Sequence, residues 1–141
     1  MRLLASTDFA LRVLLRLAAD PARHRSTEVL AGETGVPRNH LHKIVQELAE
    51  AGLVRTIRGA RGGVMLAVPP DAIRLGAVVR RLERAQVLVE CFRPDGGACC
   101  LLPECRLRGA LGGAREAFLR DLDRTTLADC VGGAASPVPV L

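Results

Sequence analysis

The stretch from Arg38 to Val68 leaves this chain little choice of fold. Leu41, Ile44, Val45 and Leu48 recur at i, i+3, i+4 and i+7, which predicts a helix from Arg38 to Ala51, stopped at Gly52. Its other face carries Arg38, Asn39, His42, Lys43 and Gln46. Upstream, Ser26 opens a shorter helix, Thr27 to Thr34, and Gly35 turns the chain between the two. Downstream, the apolar and β-branched runs Leu53–Ile57 and Val64–Val68 flank a glycine-rich turn and predict a β-hairpin. Short helix, turn, second helix and hairpin make a winged helix-turn-helix. Asn and Gln can pair with adenine, and Arg or Lys with guanine or phosphate. Arg58 and Arg61 fall at the hairpin tip, where they suit a minor groove or a phosphate. The plain alternative for the helix is an amphipathic helix with a solvated face; the hairpin directly after it favours the wing. RGARGG lacks the spacing of a nucleotide-binding loop.

Composition agrees with a nucleic-acid partner but does not demand one. The net charge is +5, and residues 1–70 hold ten Lys+Arg against six Asp+Glu. From charge alone, an ordinary solvated surface is the better account of that excess. Lys43 is the only lysine, so the cations are arginines, whose planar forks suit phosphate and base edges. Aromatics are 2% of the chain, so the core must be aliphatic. Arg2, Asp8, Arg12 and Arg16 interrupt the N-terminal apolar stretch. Neither a signal-peptide core nor a membrane span is expected there, and a cytoplasmic protein is.

Four of the five cysteines lie between Cys91 and Cys105, in ECFRPDGGACCLLPEC. Pro94, Gly96, Gly97 and Pro103 make that stretch a loop. A loop that gathers thiols holds a disulfide, a zinc ion or an iron–sulfur cluster. The odd cysteine count and a reducing compartment disfavour disulfides.

The remaining elements are helical. Phe9, Val13, Leu14 and Leu17 predict a first helix over 8–19, capped by Ser6 or Thr7, with Asp8 in its first turn. Asp71 is expected to cap a helix over 71–89. A long helix over 104–123 carries the narrow stripe Leu107, Leu111, Ala114, Phe118 and Leu122, which reads as a helix–helix seam. Thr125 or Thr126 caps a last turn, Cys130 reads as a small buried apolar residue, and 131–141 as a disordered tail. The expected class is mainly α with a small β-hairpin wing. Residues 1–70 form the winged helix-turn-helix; residues 71–130 carry the cysteine loop and the dimerisation helix.

Taken together, STDFALRVLLRLA, GVPRNHLHKIVQELAEAGLV, RGARGGVMLA, IRLGAVVRRLE, VECF and PECRLRGAL resemble, in order and spacing, the NsrR/IscR family of winged-helix iron–sulfur regulators. The resemblance covers about residues 1–130 and is nearest to the nitric-oxide-sensing branch. It implies three cysteine ligands. Cys91 of VECF and Cys105 of PECRL carry over directly. The family spacing Cys-x5-Cys selects Cys99 over the adjacent Cys100, although the Cys91–Cys99 interval is longer than the family usual. The His that completes a 2Fe–2S site in IscR-like members is replaced by Arg108, which cannot ligate. A first-helix carboxylate from the other subunit serves in some nitric-oxide-sensing members, and Asp8 matches it. Pro37 stands where the family commonly has Ser, so one phosphate-contacting hydroxyl is missing.

The resemblance thus implies a homodimeric repressor, not an enzyme, with one 4Fe–4S cluster per subunit held by Cys91, Cys99, Cys105 and Asp8 of the partner subunit. It would bind double-stranded, palindromic operator DNA and release it when nitric oxide nitrosylates the cluster. No membrane partner is expected. A 2Fe–2S redox or iron–sulfur-homeostasis regulator of the same fold is the first rival. A cluster-carrying enzyme or electron carrier is the second, but no catalytic constellation accompanies the cysteines. Zinc is the plain alternative for the thiols.

Overall fold

The computed structural model describes residues 2–59 and 61–132. Five helices and one hairpin follow in order: α1 (Ala5–Ala18), α2 (Thr27–Thr34), α3 (Arg38–Glu50), β1 (Val54–Ile57), β2 (Gly63–Leu66), α4 (Leu75–Leu82) and α5 (Arg106–Leu122). The mainly helical class with a single hairpin is therefore as the sequence predicts.

The winged helix-turn-helix closes around an aliphatic core. Val13, Leu14 and Leu17 of α1, Leu30 of α2, and Leu41 and Leu48 of α3 are fully buried, with Val54, Val64 and Leu66 of the hairpin beneath them. Burying a leucine of this kind stabilises by about 1.5–3 kcal/mol. The same cluster continues into Ile73, Val78 and Leu127, so residues after the hairpin help to seal it. The Ser26 hydroxyl accepts from the Val29 N–H at 3.2 Å, and Gly35 at φ +69° ends α2 as the turn requires. The hairpin is antiparallel, pairing Val54 with Leu66 and Ile57 with Gly63.

Several boundaries depart from expectation, and at the starts of α1 and α4 a distant residue intervenes. α1 starts at Ala5, so Ser6 and Thr7 lie inside it and do not cap it. The N–H of Leu4 donates instead to the carboxylate of Glu83, 79 residues away, at 2.9 Å. Residues 71–89 are not one helix. A 3₁₀ turn covers Pro70–Ala72 and includes Asp71; α4 then runs only from Leu75 to Leu82. Its start is set by pairing with the segment after α5: the Leu75 N–H donates to the Thr125 carbonyl and the Leu127 N–H to the Ile73 carbonyl. Val87 and Leu88, expected on that helix, are exposed beyond its end.

α5 is fastened to α4 by Arg80, which meets Asp123 at 2.6 Å and Glu116 at 3.1 Å. The hydrogen bond to Asp123, then that to Glu116, hold the Arg80 guanidinium above its ordinary pKa. Thr126 caps the last turn as expected. Its hydroxyl accepts from the Asp129 N–H, and the Asp129 carboxylate accepts from the Thr126 N–H and hydroxyl, each at 2.7 Å. Cys130 is exposed, not buried: its 3₁₀ turn lies at the edge of the fold. The expected tail lies, beyond Gly132, outside the described residues.

Candidate DNA-reading face and candidate metal centre

α3 buries Leu41, Ile44, Val45 and Leu48, and the helical period therefore leaves Arg38, Asn39, His42, Lys43 and Gln46 exposed on its other side. Pro37 occupies the position before the first turn without a side-chain cap. Arg38 pairs with Glu28 of α2 at 2.8 Å, an exposed pair worth about 0–1 kcal/mol that a phosphate can displace. The Gln46 amide donates to Glu50 at 3.1 Å. His40 instead leans on Phe9 of α1, ring centroids 6.0 Å apart. At the hairpin tip Arg58 and Arg61 are both exposed, and a groove bordered by His42, Gln46, Ser26, Thr27 and Thr56 separates hairpin from α3. Helix face and tip thus border one groove, with donors on both banks.

The cysteines belong to the second half of the chain. Cys91 is buried in a 3₁₀ turn, Glu90–Phe92; Cys99 is half-buried, Cys100 exposed, and Cys105 half-buried at the position preceding α5. All five thiols are free. The loop between them has its own framework. Arg93 pairs with Asp95, whose carboxylate accepts from the Gly97 N–H at 3.0 Å, and Glu90 accepts from the Ala98 N–H at 3.2 Å. Gly97 sits at φ +61°, and a Cβ there would come within 2.5 Å of Glu90 Cγ and 2.9 Å of its carbonyl oxygen. Only glycine lets the loop fold back this closely.

Sequence reasoning saw Arg108 only as a residue that cannot ligate. Its guanidinium Nε donates to the Cys91 carbonyl at 3.2 Å and stands 5.9 Å from the Phe92 ring centroid. Phe92 in turn lies against Gly112, where a Cβ would be 3.7 Å from its ring. Arg108 and Phe92 therefore fasten the Cys91 turn onto the first turns of α5, directly after Cys105. The available signal was an arginine one helical turn past Cys105.

Among the described residues, no three of His, Cys, Asp and Glu stand together as a metal-holding group in the single chain. Asp8 lies on α1, paired with Arg12 at 2.6 Å. What fits an iron–sulfur group is the chemistry of the donors: free thiols, two of them on segments that Arg108 ties together.

A match over residues 3–133 to the family model for Rrf2, described as an iron-dependent transcriptional regulator, settles the kinship. The chain belongs to the Rrf2 family. The HTH-type transcriptional regulator NsrR of Geobacillus kaustophilus is 48% identical over 137 residues, which is 96% of this chain and 93% of that protein. Among solved structures, the oxidized form of Staphylococcus aureus CymR superposes with a TM-score of 0.73 at 26% identity, covering 96% of this chain and all of that one. T. potens IscR superposes with a TM-score of 0.75 over 93% of this chain and 86% of that one, a likeness of fold at 23% identity. The family expected from the winged-helix and cysteine segments is the family found. This Rrf2 chain is a transcriptional regulator, and among its described residues no helix is long and apolar enough to cross a membrane.

Proposed function

We propose that the chain is a nitric-oxide-sensing repressor that binds palindromic operator DNA as a homodimer. Cys91, Cys99 and Cys105, with Asp8 of the partner subunit, would hold a 4Fe–4S cluster, one per subunit. When bound, that cluster supplies iron open to nitric oxide, the signal. The observation that carries the reading is the pairing of two features on one chain: an exposed donor face on α3 with arginines at the hairpin tip, and a thiol loop fastened to the start of α5.

The chain's own residues supply the coupling. α5 leaves Leu107 62% exposed and Phe118 39% exposed, and buries only Leu119. A twofold partner covering this stripe removes that apolar surface from water. It also sets the separation of the two α3 helices, which must match successive turns of the duplex. α1 packs on α2 and α3 through Val13, Leu14 and Leu17. A ligand role for Asp8 ties the partner's cysteine loop to α1 and hence to the DNA-reading helices. Loss of that tie frees the reading heads from their spacing.

The test is selection from random-sequence duplex DNA by anaerobically purified protein, with and without nitric oxide. The reading expects an inverted repeat to be enriched, and binding to it to be lost on exposure. Enrichment of no sequence would remove the repressor; an inverted repeat bound equally well after exposure would remove the signal.

A further inference from the structure

The hairpin does not stand on two strands alone. Arg25, in the segment between α1 and α2, pairs along Val64: its N–H donates to the Val64 carbonyl at 2.9 Å, and the Val64 N–H donates back at 2.8 Å. Gly63 permits that approach, since a Cβ there would lie 2.6 Å from the Arg25 carbonyl oxygen. The Arg25 side chain is 4% exposed, and a buried guanidinium must be partnered. It meets the Glu33 carboxylate at 3.2 Å, that of Asp20 at 3.9 Å, and the Asp20 and Arg23 carbonyls at 3.5 and 3.4 Å. Glu33, near the end of α2, also accepts two hydrogen bonds from Arg16 of α1, at 2.7 and 2.8 Å. One carboxylate therefore joins α1, α2 and the segment that bridges to β2 at Val64.

The same segment reaches the tip. His24, one residue before Arg25, donates from Nε2 to the Arg61 carbonyl at 2.8 Å. The tip turn is closed by the Gly62 N–H donating to the Gly59 carbonyl at 2.9 Å, with Gly59 at φ +110°, and His24 adds a contact from outside the hairpin. Each contact that fixes the tip beforehand reduces the ordering its arginines must undergo on meeting DNA, and ordering subtracts from affinity.

We propose that His24 and Glu33 are positioning residues for DNA binding. Glu33 anchors the Arg25 segment to α1 and α2, and His24 holds the tip by the Arg61 backbone. Together they present the Arg58 and Arg61 side chains already in place, without themselves touching the duplex. The inference rests on the wing reading proposed above and deepens it.

The test is a mutant cycle read as operator affinity of the anaerobically purified dimer, on the repeat that selection yields. His24→Ala is expected to weaken binding about 3- to 10-fold, the loss of one hydrogen bond. His24→Gln, which retains a donor, is expected to recover part of it. Glu33→Gln keeps the side-chain shape and is expected to weaken binding similarly. Should Glu33→Gln unfold the chain, the exposed His24 still decides the matter, since its removal strands no buried charge. In the background Arg58→Ala with Arg61→Ala, both variants are expected to cost nothing further, because the groups they position are gone. Losses that persist undiminished in that background, or unchanged affinity in His24→Ala, would overturn the inference. If the Arg58→Ala, Arg61→Ala pair itself binds like the parent, the wing reading fails and this inference with it.

Discussion

The DNA-reading half and the cysteine-bearing half are built to different standards of completeness. Among the described residues, fourteen members of the main core cluster lie between Ala10 and Leu66, and only Ile73, Val78 and Leu127 come from later in the chain. α5, at seventeen residues the longest helix described, buries a single side chain, Leu119. Its own Leu107 and Phe118 are exposed, as are Val87, Leu88 and Leu101 before it. A helix with Gly109, Gly112 and Gly113 has low intrinsic helicity, about 1 kcal/mol lost per glycine, and packing must support it. The first half is a finished fold within one chain. The second half has the form of a fold waiting for a second chain and, by the reading above, for iron. On that reading, sensing would fall to the half whose stability depends on what is bound to it.

That contrast predicts different consequences for substitutions on either side. The largest is all-or-none. Cys91→Ala should leave anaerobically purified protein without iron and sulfide, whereas Cys100→Ala should retain both; iron-free Cys100→Ala protein would exchange the roles of Cys99 and Cys100. Next, Leu14→Ala should lower unfolding free energy by about 3 kcal/mol, measured by urea titration. A loss under 1 kcal/mol there would mean that the first half is not the packed unit described.

Leu107→Ala should do the reverse. Surface truncation should barely move the stability of the isolated chain, while self-association weakens about tenfold or more, read by sedimentation equilibrium. Unchanged association would take α5 out of the interface. The smallest effect concerns the last turn. The Asp129 carboxyl is held below the ordinary aspartate range, first by the Thr126 hydroxyl and then by the Thr126 N–H. A carboxylate lowered in the folded state contributes stability that is complete above its unfolded value and is lost as pH falls through the folded one. Thr126→Ala should therefore lower stability slightly at neutral pH and flatten the acid limb of the stability profile. An unaltered acid limb would detach Asp129 from the fold's acid sensitivity.

Much of this architecture was legible in local pattern. The α3 stripe of Leu41, Ile44, Val45 and Leu48, the Ser26 cap and the hairpin runs are periodicities and turn signals that need no distant partner to interpret. The elements that departed from expectation are those set by distant contacts. Glu83 draws the start of α1 back to Ala5, and the 73–75 segment pairs with 125–127 to cut α4 short. Arg25 looks like a loop arginine and is instead buried against Glu33. Arg108 drew attention for the ligand it is not, and its work is to fasten Cys91 to α5. The thiol loop was visible as chemistry but not as geometry: Cys91, Cys99 and Cys105 lie on one chain, yet among the described residues no three donors stand together as a metal-holding group.

The most direct measurement is native mass spectrometry of anaerobically purified protein. The account predicts a dimer whose excess mass corresponds to about eight iron and eight sulfide, two 4Fe–4S clusters, with loss of intact clusters after nitric oxide. A monomer, or a dimer carrying only zinc, would contradict it.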